Sequence, residues 1–236
     1  MTQSFPHAVF SVIRQHTPEW FWSPLRAIVT AIITPIRFSL KKGHWKSSIR
    51  RLSVDGKGDP IPWYTYPAID FLTERDFRKK NVLEFGGGQS THWWSTRSSS
   101  VLVIEQDANW AKKLRSEVNE RVEIHYIPAN YTTRDVTPVK RLLDGYRIAK
   151  FDIIVVDGYL RQELAAMAFE YVAEDGAIIL DNAERYGFLK STSSRNCQRV
   201  DFFGFAPGIS LQHCTSIVFF KECFLFAPDI PMPKED

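Results

Sequence analysis

From residue 81 onward, short unbroken apolar runs alternate with longer segments whose apolar residues recur at helical spacing. Val82–Phe85, Val101–Glu105, Val122–Ile127, Phe151–Val156 and Ala177–Leu180 read as five strands. Their apolar residues are consecutive instead of alternating, which is the pattern of a parallel sheet covered by helices on both faces. The intervening segments supply the helices: Thr91 to about Arg97, Asn109 to Asn119, Pro138 to Tyr146, and Leu160 to Val172. Thr137 is a plausible cap for the third of these. Glu174-Asp175-Gly176 reads as the turn into the fifth strand. Further on, Arg199–Phe205 and Ser216–Lys221 are strands with no room between them for a crossover helix, so they should pair antiparallel. The expected architecture is α/β: a doubly wound sheet, mostly parallel, closed by an antiparallel pair.

Upstream of residue 60 the pattern differs. Leu25, Ile28, Val29, Ile32, Ile33 and Ile36 fall at near-helical spacing, and Pro35 should kink or restart that helix. Trp20 and Trp22 precede the stripe, and a basic tract (Arg37, Lys41, Lys42, Lys46, Arg50, Arg51) follows it. Such a stripe packs on the main domain, packs on a partner subunit in a homo-oligomer, or lies on an anionic membrane surface through residues 24–51. The turn cluster Asp55-Gly-Lys-Gly-Asp-Pro60 divides an N-terminal helical and basic extension, 1–58, from the main domain, 59–236. Ile61–Pro67 is held extended by its prolines, and a short helix from Ala68 to Arg78 leads to the first strand. Within that stretch Trp63, Tyr64 and Tyr66 are placed either as a lid over a ligand, with Tyr64 touching it, or as a packed plug.

Composition changes this picture little. The chain has 236 residues, 44% apolar and 24% charged, which suits a soluble globular protein with one full core. A net charge of +3 does not by itself point to nucleic acid. Three cysteines without metal-type spacing fit a reduced, cytoplasmic protein. Met1–Pro6 lacks the basic start and apolar run of a secretory signal.

The candidate chemistry lies where ligands bind in open parallel sheets, outside the carboxyl ends of the strands. The first strand runs into Glu84-Phe-Gly-Gly-Gly-Gln-Ser-Thr91, a turn whose glycines leave bare backbone facing a ligand. A dinucleotide loop wants G-x-G-x-x-G, and here the third position is Thr91. Glu84 inside the turn would repel phosphates but suits an ammonium, which favours S-adenosylmethionine over NAD. Gly86, Gly87, Gly88, Ser90 and Thr91 are accordingly candidate cofactor contacts. Glu105 ends the second strand about seventeen residues past Gly88, near the spacing at which a carboxylate takes the ribose hydroxyls, with Gln106 beside it. Asn130, after the third strand, is placed by topology near an adenine edge. Asp157 and Asp181-Asn182 end the fourth and fifth strands.

These motifs, Leu83-Glu-Phe-Gly-Gly-Gly-Gln-Ser-Thr-His-Trp-Trp94, Val103-Ile-Glu105, Ile154-Val-Val-Asp-Gly158 and Leu180-Asp-Asn-Ala-Glu-Arg-Tyr186, resemble the class I S-adenosylmethionine-dependent methyltransferases over residues 60 to 225. The wording is similar to a poorly characterised bacterial branch of that class. The resemblance implies a Rossmann-like fold, Glu84, Gly86 and Gly88 along the methionine part, Glu105 at the ribose, and Asp157 beside the methyl group. It also implies O-methylation of a small molecule or sugar, with nitrogen the less favoured target.

Asp157, Asp181 and Asn182 are oxygen ligands that suit Mg²⁺ and are similar to the trio of metal-dependent catechol-type O-methyltransferases. Those enzymes place a lysine shortly after the first aspartate, where this chain has Arg161, a group too basic to serve as a base but suited to hold a substrate carboxylate or phosphate. Asp157, Arg161 and His92 are the candidate catalytic residues. Both aspartates also sit in good turn-forming contexts. The alternatives are an aminopropyltransferase, which the Gly-Gly-Gly loop resembles but Gln89-Ser90 do not support, an NAD enzyme, and a non-catalytic scaffold. No Asn-Pro-Pro-Tyr-type tetrapeptide follows the fourth strand, which disfavours a nucleic-acid substrate.

Overall fold

A computed structural model describes residue 14 and residues 17–185, 196–220 and 222–227. Met1–Pro6 and Tyr186, both singled out in the sequence, lie outside the described residues. The seven strands β1 (Asn81–Phe85), β2 (Ser100–Glu105), β3 (Val122–Tyr126), β4 (Phe151–Val156), β5 (Val172–Leu180), β6 (Gln198–Phe205) and β7 (Gln212–Phe219) form one sheet in the order β3-β2-β1-β4-β5-β7-β6. The first five are parallel, while β7 runs antiparallel to both β5 and β6. The chain turns back on itself between β1 and β4, and a crevice opens beyond the carboxyl ends of strands at such a point.

Alternation along each strand sends side chains to two cores. Leu83, Phe85, Leu102, Ile104, Ile154 and Val156 face one layer, against Leu143 of α7 (Thr137–Asp144) and Leu164 of α8 (Arg161–Ala168). Val82, Val101, Val103, Ile153 and Val155 face the other. There they meet Leu72 of α4 (Tyr66–Thr73), Trp94 of α5 (Gln89–Ser95) and Leu114 of α6 (Ala108–Glu117). Glu84, two residues after Val82, is therefore turned toward α5, inside the fold.

Several elements differ from the sequence expectation. The helix expected over Ala68 to Arg78 runs from Tyr66 to Thr73, β7 begins at Gln212 instead of Ser216, and Thr137 is the first residue of α7, with Val136 in the cap position. Glu174-Asp175-Gly176 lies within β5, because Val172 pairs with Phe151 and Ala177 with Ile153, leaving a bulge between them. Helix α8 correspondingly ends at Ala168.

The N-terminal segment forms α1 (Glu19–Ile28), a π turn (Val29–Ile33), α2 (Thr34–Lys41) and α3 (His44–Arg50). Pro35 has no N–H to give, and the helix passes it by widening into the π turn just before it. Along the apolar stripe Leu25 and Val29 are half-buried, while Ile28, Ile32, Ile36 and Leu40 are each more than half exposed and so are not packed into the core of the described residues. Attachment is at the far end. The Phe38 ring meets Tyr66 at 5.2 Å, Lys42 Nζ meets Asp70 Oδ1 at 2.5 Å, and Ser47 Oγ donates to Val54 O at 2.9 Å. Gly43, at φ +76°, makes the corner between α2 and α3, where an added Cβ would come within 2.3 Å of the Val54 and Asp55 backbone. Among the described residues no helix is long and apolar enough to cross a membrane.

Candidate functional site

Beyond the carboxyl ends of β1, β2 and β4 lies a cavity of about 470 Å³, in the range that holds cofactor-sized ligands. Gly86, Gly87 and Gly88 line it together with Ser90, Glu105, Gln106 and Asp157. Gly86 holds φ +87°, and a Cβ there would stand 2.7 Å from Gly158 Cα. The loop after β1 and the loop after β4 thus touch backbone to backbone. At Gly88 an added Cβ meets nothing within 4 Å, so the backbone borders open space.

The polar supports of this loop are specific. Thr91 Oγ1 accepts from Gly88 N–H at 3.0 Å and donates to Glu84 Oε2. Glu84 is fully buried, its Oε1 has no hydrogen-bond partner among the described residues, and burial pushes its carboxyl up to about 8 despite the nearby Ser90 and Thr91 hydroxyls. Glu105 accepts from Gly87 N–H (2.9 Å), Gln106 N–H (2.7 Å) and Asp107 N–H (2.9 Å). A carboxylate has about four lone-pair sites, so roughly one is left for a ligand hydroxyl. Trp110 Nε1 donates to Gly87 O at 2.7 Å and closes the wall from α6.

Next to the glycines stands a second cluster, held by one guanidinium. Arg161 donates to Gly158 O (2.9 Å), Asp157 Oδ1 (2.7 Å), Asp181 O (2.7 Å) and Asn182 Oδ1 (3.0 Å). Leu160 and Asn182, at φ +50° and +52°, are left-handed non-glycine residues flanking this cluster, strain of the kind that gathers at functional sites. Burial raises the Asp157 carboxyl to about 6, with Arg161 opposing the rise. Burial, and then the charge of Asp157, hold Asp181 well above the usual carboxylate range. Its Oδ1 accepts from Thr215 Oγ1 of β7 at 2.9 Å, and Thr215 Oγ1 accepts from Thr65 N–H at 3.0 Å.

The expected metal trio does not fit a cation. The Arg161 guanidinium bonds Asp157, Asp181 and Asn182 together and supplies the positive charge there. Among the described residues no group of three or more His, Cys, Asp or Glu side chains is placed to hold a metal ion. The nitrogens of Arg161 are likewise spent on the chain's own oxygens, not offered to a substrate.

The other sequence candidates divide. Gly86, Gly87, Gly88, Ser90, Glu105, Gln106, Asp157 and Arg161 are brought to one cavity. Glu84 and Thr91 support the loop from beneath, both with no exposed surface. Three residues are elsewhere. Tyr64 is fully buried in the core, and its neighbour Trp63 reaches the cavity instead, its Nε1 donating to Pro207 O at 2.8 Å. Asn130 is exposed, and its Oδ1 accepts from Thr132 and Thr133 N–H at 3.0 Å, closing its own turn. His92 lies 3.7 Å from Glu117 and lines a different hollow. Residues not foreseen at the site are Arg51 and Leu52 from the end of α3, Tyr159, and His213, whose Nδ1 stands 3.4 Å from Asn182 Nδ2. His213 was within reach of sequence reasoning, because β7 must start beside the end of β5 once the two pair antiparallel.

No protein-family model matches the sequence, and comparison with curated proteins finds no match. Among solved structures, the chain is similar to an O-methyltransferase from Bacillus cereus in complex with SAH. The TM-score is 0.55 at 16% identity, covering 83% of this chain and 96% of the other. It is also similar to the O-methyltransferase TomG of Streptomyces achromogenes, involved in tomaymycin synthesis and in complex with SAM. There the TM-score is 0.53 at 16% identity, covering 77% and 87%. The chain has the fold of the class I S-adenosylmethionine-dependent methyltransferases.

Proposed function

We propose, on the premise of this fold, that the chain binds S-adenosylmethionine in the cavity and transfers its methyl group to an oxygen of a small molecule or sugar. The observation that carries the reading is the convergence of Gly86–Gly88, Glu105 and Asp157 on one cavity at the turning point of the sheet. The likeness to two O-methyltransferases supports it. When bound, S-adenosylmethionine supplies a methyl group already activated by a positive sulfur, so the chain has mainly to align an acceptor and keep water out.

Each residue then has a defined task. The Gly86–Gly88 backbone allows close approach of the ligand, and the remaining lone pair of Glu105 takes a ribose hydroxyl. Trp110 and Tyr159 wall the cavity. Asp157, with its carboxyl raised to about 6, is ionised at neutral pH yet basic enough to accept the proton of an acceptor hydroxyl. Arg161 holds that carboxylate in one orientation. Trp63, Arg51 and Leu52 form the side of the cavity on which an acceptor is held.

Calorimetry with S-adenosylhomocysteine tests the reading directly: saturable binding is expected, and none at high micromolar ligand ends it. With the cofactor and a panel of phenols and sugars, S-adenosylhomocysteine release identifies the acceptor. Asp157→Asn should then keep cofactor binding while turnover falls about a hundredfold, the scale of a lost general base.

A further inference from the structure

The exposed face of the N-terminal helices has a charge pattern that selects its partner. Ile28, Ile32, Ile36 and Leu40 follow one another at four-residue spacing on α1, the π turn and α2, and are 53%, 55%, 55% and 59% exposed. Trp20 and Trp45, toward the two ends of the segment, are exposed as well, at 78% and 60%. Between Trp20 and Val54 the chain carries seven lysines and arginines and no acidic residue, although its total charge is only +3. The remainder of the chain is therefore net negative. From Glu19 to Lys41 the helix continues without a break, roughly 34 Å of surface at 1.5 Å per residue.

We infer that this face docks on an anionic lipid bilayer, lying in the plane of the headgroups with the Ile28–Leu40 stripe inserted. An apolar stripe bordered by cations, with tryptophans at its ends, is the pattern that binds such an interface. A second copy of the chain is a poorer occupant. A two-fold interface would set each belt of cations against its own image, and like charges so placed repel. The attachment also makes docking mechanically consequential. The corner at Gly43 and the Phe38–Tyr66 and Lys42–Asp70 contacts fix the helix to the rest of the chain. From that corner α3 leads directly to Arg51 and Leu52 on the cavity wall. A bilayer that held α2 would hold the cavity near its headgroups, independently of which ligand the cavity takes.

The test is co-sedimentation of the intact chain with phosphatidylcholine vesicles containing phosphatidylglycerol, and with phosphatidylcholine alone. Binding is expected to the anionic vesicles only, and to weaken as salt is raised. Ile32→Asp with Ile36→Asp should lower vesicle affinity at least about tenfold. Arg26→Glu with Arg37→Glu should remove the preference for phosphatidylglycerol. All four positions are exposed, so thermal melting should match the parent chain and separates lost docking from lost folding. Absence of binding to anionic vesicles overturns the inference. Equal binding to both vesicle types does so too. Light scattering that finds a dimer dispersed by Ile32→Asp with Ile36→Asp, with no vesicle binding, assigns the face to a second copy instead.

Discussion

Gly86 and Gly88 stand two residues apart in one loop and answer to different constraints. At Gly86 both φ and space exclude a side chain, since a Cβ would press on Gly158 backbone 2.7 Å away. Gly86→Ala should cost about 2 kcal/mol or more of stability, read as a lower urea midpoint. Gly88 is extended and open, so Gly88→Ala should leave the midpoint unchanged and weaken S-adenosylhomocysteine binding about tenfold, near 1.4 kcal/mol. Arg161 offers a second contrast. Its removal leaves buried acidic groups without their counter-charge, so Arg161→Ala should destabilise by about 3 kcal/mol, and a chelator should change neither stability nor methyl transfer. The carboxylates themselves were readable, because an unbroken apolar strand stops abruptly at a polar residue. The partner of those carboxylates was not, since sequence spacing leaves open whether Arg161 turns inward to Asp157 or outward to a ligand.

Helix α5 shows how periodicity sorts neighbours. Ser90 lines the cavity, and His92, two residues on, is turned about 200° around the axis and faces Glu117. A base expected from sequence proximity to the glycines is thus carried away by helical geometry. The extended segment before α4 fails to predict in a similar way. Its prolines restrict the backbone but not which of Trp63 and Tyr64 points outward, and alternation gives one to the cavity and the other to the core. Strand β7 is legible as a strand, and its pairing with β5 brings His213 to the site, but nothing in the sequence marks Thr215 as the support of Asp181. Thr215→Val keeps the shape, removes the hydroxyl between Asp181 and Thr65, and should cost about 2 to 4 kcal/mol by urea unfolding.

For the molecule as a whole, buried acids decide how stability follows pH. Glu84 rises from an ordinary 4.5 to about 8 in the fold, so over that interval the folded chain holds a proton that the unfolded chain has released. The stabilisation is fully present below about 4.5 and is lost as pH rises through about 8. Glu84→Gln, which keeps a neutral side chain of the same shape, should flatten that decline, a difference on the order of a few kcal/mol between urea unfolding at the two ends of the interval. The sheet order carries one more consequence, for synthesis. β7 lies between β5 and β6, yet it follows both in the chain. While a ribosome is still adding residues past β5, the edge that β7 will cover is bare, and Ile178 and Ile179 stand beside unpaired backbone. Until β7 arrives, Asp181 lacks the Thr215 hydroxyl, so a nascent chain can hold its first five strands and every cavity-lining residue and still lack the support behind Asp181. The full stability of the fold should therefore be reached only after β7 has left the exit tunnel, late in translation.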